Sequence, residues 1–254
     1  MDSAELTDRR RAIRHLLDEQ AAPDAGAAYY AFYHADFKTQ LSTYRPQTAR
    51  AIGYVCLSRT GLDLFRPLVT LRLPWGDLAA CTELLYHALP VGGEVILRVP
   101  ALYMPLIRAM FEITAEEEQA LLRLNRALFR PILNVLVTTD TGPNSLPRYL
   151  IRRDGDIGAV ASVNWQTQAF AEIGVYTAAQ SRRAGWGRSV AAALCHHLLE
   201  ARRLPLYVTA LTNTASWELA ESLGFMDTGY REFLLEAALK PKADPSSAPS
   251  AGAG

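Results

Sequence analysis

The segment Arg182-Arg183-Ala184-Gly185-Trp186-Gly187-Arg188-Ser189 does most to restrict what this chain can become. It lies between a strand-like run, Ile173 to Thr177, and a helical one, Val190 to Ala201. Two glycines at that junction give the backbone conformations closed to other residues, and they remove β-carbons that would hold a ligand off the main chain. Unpaired N–H groups at a helix start, with the positive end of the helix dipole behind them, form a site for phosphate or pyrophosphate. Three arginines lie beside it. No Gly-Lys-Ser/Thr follows, and the spacing is not Gly-x-Gly-x-x-Gly, so nucleoside triphosphates and dinucleotides are poorly matched.

Composition narrows the partners. With 254 residues, half of them hydrophobic, the chain can build one large core or two smaller ones. Twenty-six basic residues balance twenty-six acidic ones, so no overall field draws it to nucleic acid or to an acidic membrane. Cys56, Cys81 and Cys195 are widely spaced in apolar segments, which fits buried free thiols and a cytoplasmic protein better than a disulfide framework. No apolar run approaches the roughly 18 residues of a membrane span. Oligomeric state is open at this level.

Along the chain, Leu6, Ile13, Leu16 and Leu17 mark an N-terminal helix, Ala21 to Ala27 reads as a connector, and Tyr29 to Tyr33 reads as a strand. Strands are expected at Ala51 to Ser58, Leu68 to Leu73 and Glu94 to Val99, with helices over Trp75 to Leu89 and from Pro100 through Met110. Thr114 to Phe129, opening on a capping-box pattern, is expected to be a charged helix bridging two halves. Pro131 to Thr138 reads as an edge strand and Asp140 to Pro147 as a loop. Asp154-Gly155 predicts a hairpin between Tyr149–Arg153 and Ile157–Val163. A strand at Ala171 to Thr177, the glycine turn, a helix carrying Val190, Leu194 and Leu198, a strand at Pro205 to Leu211, a helix at Thr214 to Leu223 and a strand near Tyr230 to Leu235 complete the pattern. The strand–helix–strand–helix order occurs twice, which suggests a diverged internal repeat. In the first copy only Pro74-Trp75-Gly76-Asp77 stands where the glycine turn would be.

Two motifs together carry a resemblance. Arg182-x-x-Gly185-x-Gly187, following Phe170-Ala171-Glu172-Ile173, Val175 and Thr177, resembles the signature of the GNAT superfamily of N-acetyltransferases. Asn213-Thr214-Ala215-Ser216, Leu219 and Leu223-Gly224-Phe225 resemble its second conserved piece. The resemblance implies an α/β fold with a mixed, mostly antiparallel sheet, a splayed central strand pair and two GNAT-like halves. The expected division is a degenerate copy at 1–113, a bridging helix at 114–130, a catalytic domain at 131–238 and a disordered tail at 239–254.

It further implies acetyl-CoA as co-substrate, an amine acceptor that is a small molecule or a peptide, and no metal. Backbone groups of Val175, Tyr176 and Thr177 would hold the pantetheine arm; Arg182, Arg183, Ala184, Gly185, Trp186, Gly187 and Arg188 would hold the pyrophosphate; Asn213 and Ser216 would reach the arm from the next helix. Attack on a thioester needs a neutral amine, and for a lysine-like amine this costs about 4 to 5 kcal/mol at pH 7. A carboxylate at the strand can take that proton, which points to Glu172 as general base. Many members carry a tyrosine where this chain has Ala220; Tyr230 or Ser216 is the candidate substitute as acid, or none is needed, since a thiol of pKa about 8.5 gives a fair leaving group unaided. Ser162 and Asn164 alternate on the neighbouring strand and are expected to line the acceptor site. Cys195-His196-His197 diverge by about 100° per residue on a helix and do not converge on an ion. Two rival readings remain: a non-catalytic acyl-CoA sensor, which the missing tyrosine favours, and an aminoacyl-tRNA-dependent transferase.

Overall fold

In the computed structural model, the described residues are 3–46, 50–61, 63–132, 134–142 and 145–242. Two helices come first, α1 (Ser3–Ile13) and α2 (Ala22–Ala28). They lead into β1 (Thr39–Tyr44), β2 (Gly53–Ser58), β3 (Leu68–Arg72), α3 (Leu78–Ala88), β4 (Glu94–Pro100), α4 (Met104–Met110) and β5 (Phe111–Leu124). A short edge strand, β6 (Thr138–Thr141), precedes β7 (Pro147–Arg153), β8 (Asp156–Gln166), β9 (Phe170–Thr177), α5 (Trp186–Glu200), β10 (Leu204–Ala210), α6 (Thr214–Ser222) and β11 (Phe225–Leu239).

From β1 to β5 and from β7 to β11 the order is the same: three strands, a helix, a strand, a helix, a strand. All eleven strands form one mixed sheet in the order β1-β2-β3-β4-β11-β5-β10-β9-β8-β7-β6. Apart from β6 that order reads alike from either end, with a pseudo-twofold between β11 and β5. The last strand of each half has crossed over. β11 lies against β4, and β5 lies against β10, so each half's inner neighbour comes from the other half. Between neighbouring strands, parallel pairing runs for three residue pairs in each half, Leu68–Ile96 to Thr70–Arg98 and Phe170–Leu204 to Glu172–Leu206, after which the strands part. Each copy therefore has a splay. By register, Thr70 is the counterpart of Glu172.

The cores follow the same division. Val190, Ala191, Leu194 and Leu198 of α5 bury against Ala159, Ala161, Ala171 and Ile173 on one sheet face, while Cys81, Leu84, Leu85 and Ala88 of α3 bury against Val69, Leu71, Val95 and Leu97. A third cluster closes the seam between halves, with Ala22, Ala25 and Tyr30 packed against Trp165, Phe170 and Leu206.

Several local expectations are overturned, each by a contact beyond the local pattern. Thr114 to Phe129 is not a bridging helix: residues through Leu124 are strand, because β5 is hydrogen-bonded on one side to β11 and on the other to β10. Two ladders outweigh the helical propensity of Glu116-Glu117-Glu118. Ala21 to Ala27 is not a connector, since Pro23 stands in the first turn of α2, where its missing N–H costs nothing. Tyr29 to Tyr33 continue that helix as a π-turn rather than forming a strand, held by Tyr29 stacked on Trp165 at 5.6 Å between ring centroids. Pro100 ends β4, and Pro105 is the proline that opens α4. Among the described residues of 131–146, strand is limited to Thr138–Thr141, and with Pro147 opening β7 this takes Asp140, Thr141 and Pro147 out of the expected loop. The expected disordered tail does not begin at 239, because Leu239 is still in β11 and Lys240 Nζ donates to the carbonyls of Arg108 and Ala109; residues 243–254 lie outside the described residues. The Asp154-Gly155 hairpin forms as expected, with both residues at positive φ, 53° and 89°.

The exchange has a testable consequence. A fragment spanning 131–242 lacks β5 and leaves the inner edges of β10 and β11 unpaired, so it should not show a cooperative thermal transition by circular dichroism. A fragment from 104 to 242, which restores β5, should regain one. A cooperative melt for the shorter piece would show that the exchanged strand is dispensable.

Candidate active site

Residues 182–188 form the expected turn. Arg183 and Gly185 both take positive φ, 61° and 75°, and Gly185 is the left-handed residue that caps α5. Gly187 is required for a different reason: a β-carbon there would stand 2.6 Å from Thr177 Oγ1. Of the backbone hydrogen bonds around the turn, Ser181, Arg182 and Ser189 donate; the N–H groups of Arg183 to Arg188 donate none. These are the free donors that an anion at a helix start needs.

An open groove of about 640 Å³ runs from this turn along the splay, lined by Val175, Tyr176, Thr177, Arg182, Arg183, Gly185, Trp186, Gly187, Arg188, Asn213 and Ser216. Every residue expected to hold a coenzyme lines it except Ala184, which is exposed in the turn. Asn213 caps α6 through its side chain, accepting from Ser216 N–H at 3.2 Å. Arg188 is partly committed, since Nη2 donates to the Ser222 carbonyl at 3.0 Å. Past the Leu206–Glu172 pair, the edges of β9 and β10 that face each other carry no ladder, so extended backbone is available to a peptide-like chain. Tyr207 also lines the groove, its hydroxyl 3.4 Å from Ser216 Oγ. Burial raises its pKa, only partly opposed by the Ser216 hydrogen bond, so it stays a protonated donor. Sequence reading missed it because nothing distinguishes a groove tyrosine on β10 from a core one.

Glu172 lies on the opposite face of β9, in a second, narrow cavity between the halves. The walls include Gly26 from α2, Thr70 and Arg72 from β3, Arg98 from β4, Trp165, and Tyr230 and Glu232 from β11. Glu172 is 7% exposed. Its Oε2 accepts from Arg98 Nη2 at 2.9 Å and its Oε1 from Asn164 Nδ2 at 3.0 Å. Arg98 Nε donates in turn to Glu232 Oε1 at 2.6 Å. Desolvation alone would lower the Arg98 pKa, but the two carboxylates hold it well above the usual arginine range. A carboxylate has about four lone-pair sites, so the two bonds orient Glu172 and leave room for a proton.

Asn164 stands opposite Glu172 by alternation, since Ser162 pairs with Gly174 and Val163 with Ile173. Pairing between β8 and β9 then slips between Val163 and Trp165, which brings Trp165 to the Glu172 face as well. Gly174 makes the space: a β-carbon there would meet Asn164 Oδ1 at 3.0 Å. Ser162, two residues earlier on β8 and paired with Gly174, lines neither the cavity nor the groove, and neither does Asn164, whose tie to the site is its hydrogen bond to Glu172. Tyr230 lines the Glu172 cavity rather than the groove, and its pKa is pushed up to about 12, chiefly by burial. Arg98 and Glu232 belong to no motif. They reach the site only through the exchange of strands.

Residues 148–231 match the family model for GNAT acetyltransferases. The turn at 182–188 lies inside that match, which covers about a third of the chain. No curated protein matches the chain in sequence. Among solved structures, a Drosophila protein is similar at 14% identity over 96% of this chain and 98% of its own, with a TM-score of 0.66. A GCN5-related N-acetyltransferase from Sphaerobacter thermophilus is similar at 12% identity over 96% of each chain, with a TM-score of 0.62. A tandem GNAT protein from the clavulanic acid biosynthesis pathway matches 95% of this chain and 96% of its own at 13% identity, with a TM-score of 0.60. At such identities the likeness speaks to the fold: the tandem GNAT architecture extends over nearly the whole chain. The first GNAT-like copy has lost its turn. Asp77 caps α3 there, accepting from Ala80 N–H at 2.9 Å, so a carboxylate already occupies the helix start.

Proposed function

We propose that the protein transfers an acetyl group from acetyl-CoA to a primary amine, with the coenzyme in the groove between β9 and β10 and the amine in the cavity that holds Glu172. The observation that carries this reading is the Leu206–Glu172 pair. It is the last rung before the splay, and it places the carboxylate behind the point where the groove begins. Backbone donors from Arg183 to Arg188 fit a pyrophosphate, and the unpaired edges of β9 and β10 fit the amides of pantetheine. Acetyl-CoA supplies the thioester carbon that the amine attacks. Glu172, oriented by Asn164 and Arg98, accepts the amine's proton.

For the departing thiolate, Tyr207 is the donor this structure favours over Tyr230, since it lies in the groove beside Ser216 while Tyr230 lies in the acceptor cavity. A thiol of pKa about 8.5 leaves with little help, so Tyr207→Phe should lower kcat by no more than about tenfold with acetyl-CoA affinity unchanged; an unaltered kcat would remove it from the reaction.

The reading is tested by calorimetry and thiol release. One CoA should bind per chain, because Asp77 closes the first copy, and free CoA should appear when acetyl-CoA meets a suitable amine from a panel. Saturable binding with no turnover of any amine would favour a non-catalytic acyl-CoA sensor.

A further inference from the structure

Glu172 is walled in. The enclosed part of its cavity is about 20 Å³, room for one water and too little for an amine with carbon attached. Glu172 is 7% exposed, and Thr70 and Trp165 on the same walls are each 2% exposed. An acceptor therefore reaches this carboxylate only if a wall moves. Among the described residues, Ala22, Pro23, Gly26 and Ala27 of α2 form one wall, and every other lining residue lies in a strand of the sheet, where movement would break hydrogen-bonded ladders. α2 is the wall that no ladder holds.

Its attachments are few and lie at its two ends. The packing face is Ala22 and Ala25, set against Leu68, Trp165 and Leu206, and a methyl group on each interlocks little with the sheet. Asp24, in the first turn, ion-pairs with Arg72 of β3, which is tied in turn to the Leu71 carbonyl through Nη1 at 3.1 Å. The second oxygen of Asp24 accepts from Asp18 N–H at 2.9 Å, so the same carboxylate fastens the turn that leads into the helix. At the far end Tyr29, stacked on Trp165, and the buried Tyr30 anchor the π-turn Tyr29–Tyr33, an uncommon geometry that recurs at functional sites. Two polar groups on the cavity walls, Trp165 Nε1 and Thr70 Oγ1, are buried without a hydrogen-bond partner, which opposes closure.

We propose that α2 is a lid over Glu172, latched by Asp24 and Arg72 and hinged where it meets the π-turn, and that the acceptor enters beneath it. From the acetyltransferase reading this takes only that the amine goes to Glu172; the lid itself follows from the walls. No residue of α2 lines the groove on the opposite face, so the coenzyme can load with the lid shut.

Opening is read without any reaction by a thiol placed behind the lid. Thr70→Cys changes side-chain size little, and the native Cys56, Cys81 and Cys195 are buried. In the full chain a small methanethiosulfonate reagent should label the introduced thiol about tenfold or more faster than Cys195, which reports global unfolding. Asp24→Ala should raise the ratio of the two rates by about tenfold again. Labelling no faster than that of Cys195 overturns the lid, and a ratio indifferent to Asp24→Ala overturns the latch. A second variant links the lid to turnover: Asp24→Cys with Arg72→Cys, joined by a short reducible bis-methanethiosulfonate bridge. Bridging should lower amine acetylation about 50-fold or more, reduction should restore it, and CoA affinity should stay within about twofold, since the groove lies on the other face. A bridged protein as active as the reduced one overturns the proposal. Fast, latch-dependent labelling in a protein that acetylates no amine upholds the lid and removes the catalytic reading.

Discussion

Replacing Glu172 by glutamine is expected to lower kcat/KM by about 10²- to 10⁴-fold near neutral pH, the usual worth of a positioned general base. The loss should shrink as pH rises, because an amine above its own pKa arrives neutral and needs no base. A glutamate that only holds the fold would show a loss independent of pH. The geometry makes a stability control necessary. Glu172 and Glu232 share Arg98, and removing one partner of a buried pair typically costs about 3–5 kcal/mol when the remaining charge is left unmatched. Glutamine Oε1 can still accept from Arg98 while its Nε2 donates to the Asn164 amide oxygen once that amide turns over, and Glu232 still neutralises the guanidinium, so the melting temperature should fall by only a few degrees. The measurement is kcat/KM against pH for both proteins on one acceptor, with acetyl-CoA affinity and Tm alongside. A variant within twofold of wild type at every pH would take Glu172 out of the mechanism.

Gly185→Asp should weaken CoA binding by about 100-fold or more, each charge-assisted hydrogen bond to the pyrophosphate being worth about 1.5–3 kcal/mol. Two effects act together. The backbone at Gly185 is left-handed, φ 75°, which any L side chain occupies under strain. The new carboxylate also points its charge at the place of an anion. Gly185→Ala separates the two, carrying the strain without the charge, and should bind with intermediate affinity. At a CoA concentration 100 times the wild-type Kd, wild type should gain about 2.7 kcal/mol of stability and the aspartate variant about 0.4 kcal/mol or less, read as the ligand-dependent rise in Tm. Equal stabilisation of the two would show that the turn does not hold the coenzyme.

The sequence by itself determined the groove proposed for the coenzyme. The turn at 182–188, the strand before it and the Asn213 cap lie within fifty residues of one another, and each rests on a local requirement: a positive φ, a missing β-carbon, an N-cap side chain. Such requirements are written in residue type and spacing, so the turn, the hairpin at Asp154-Gly155 and the repeat of strand and helix could all be read without a structure. Tertiary structure decided the rest. Glu116-Glu117-Glu118 carry a helical signature, yet β5 is a strand because two neighbouring strands, one from 80 and more residues downstream, satisfy its backbone. Trp165 joins the Glu172 face because pairing slips by one residue at a bulge, a change of side-chain direction that no alternation pattern records. Arg98 and Glu232 face Glu172 only because the last strand of each half crosses to the other. The candidate base was therefore legible and its setting was not: a candidate base is a residue type at a place on one strand, whereas its partners are fixed by which distant strands pair, and that is chosen by the summed burial of the whole sheet.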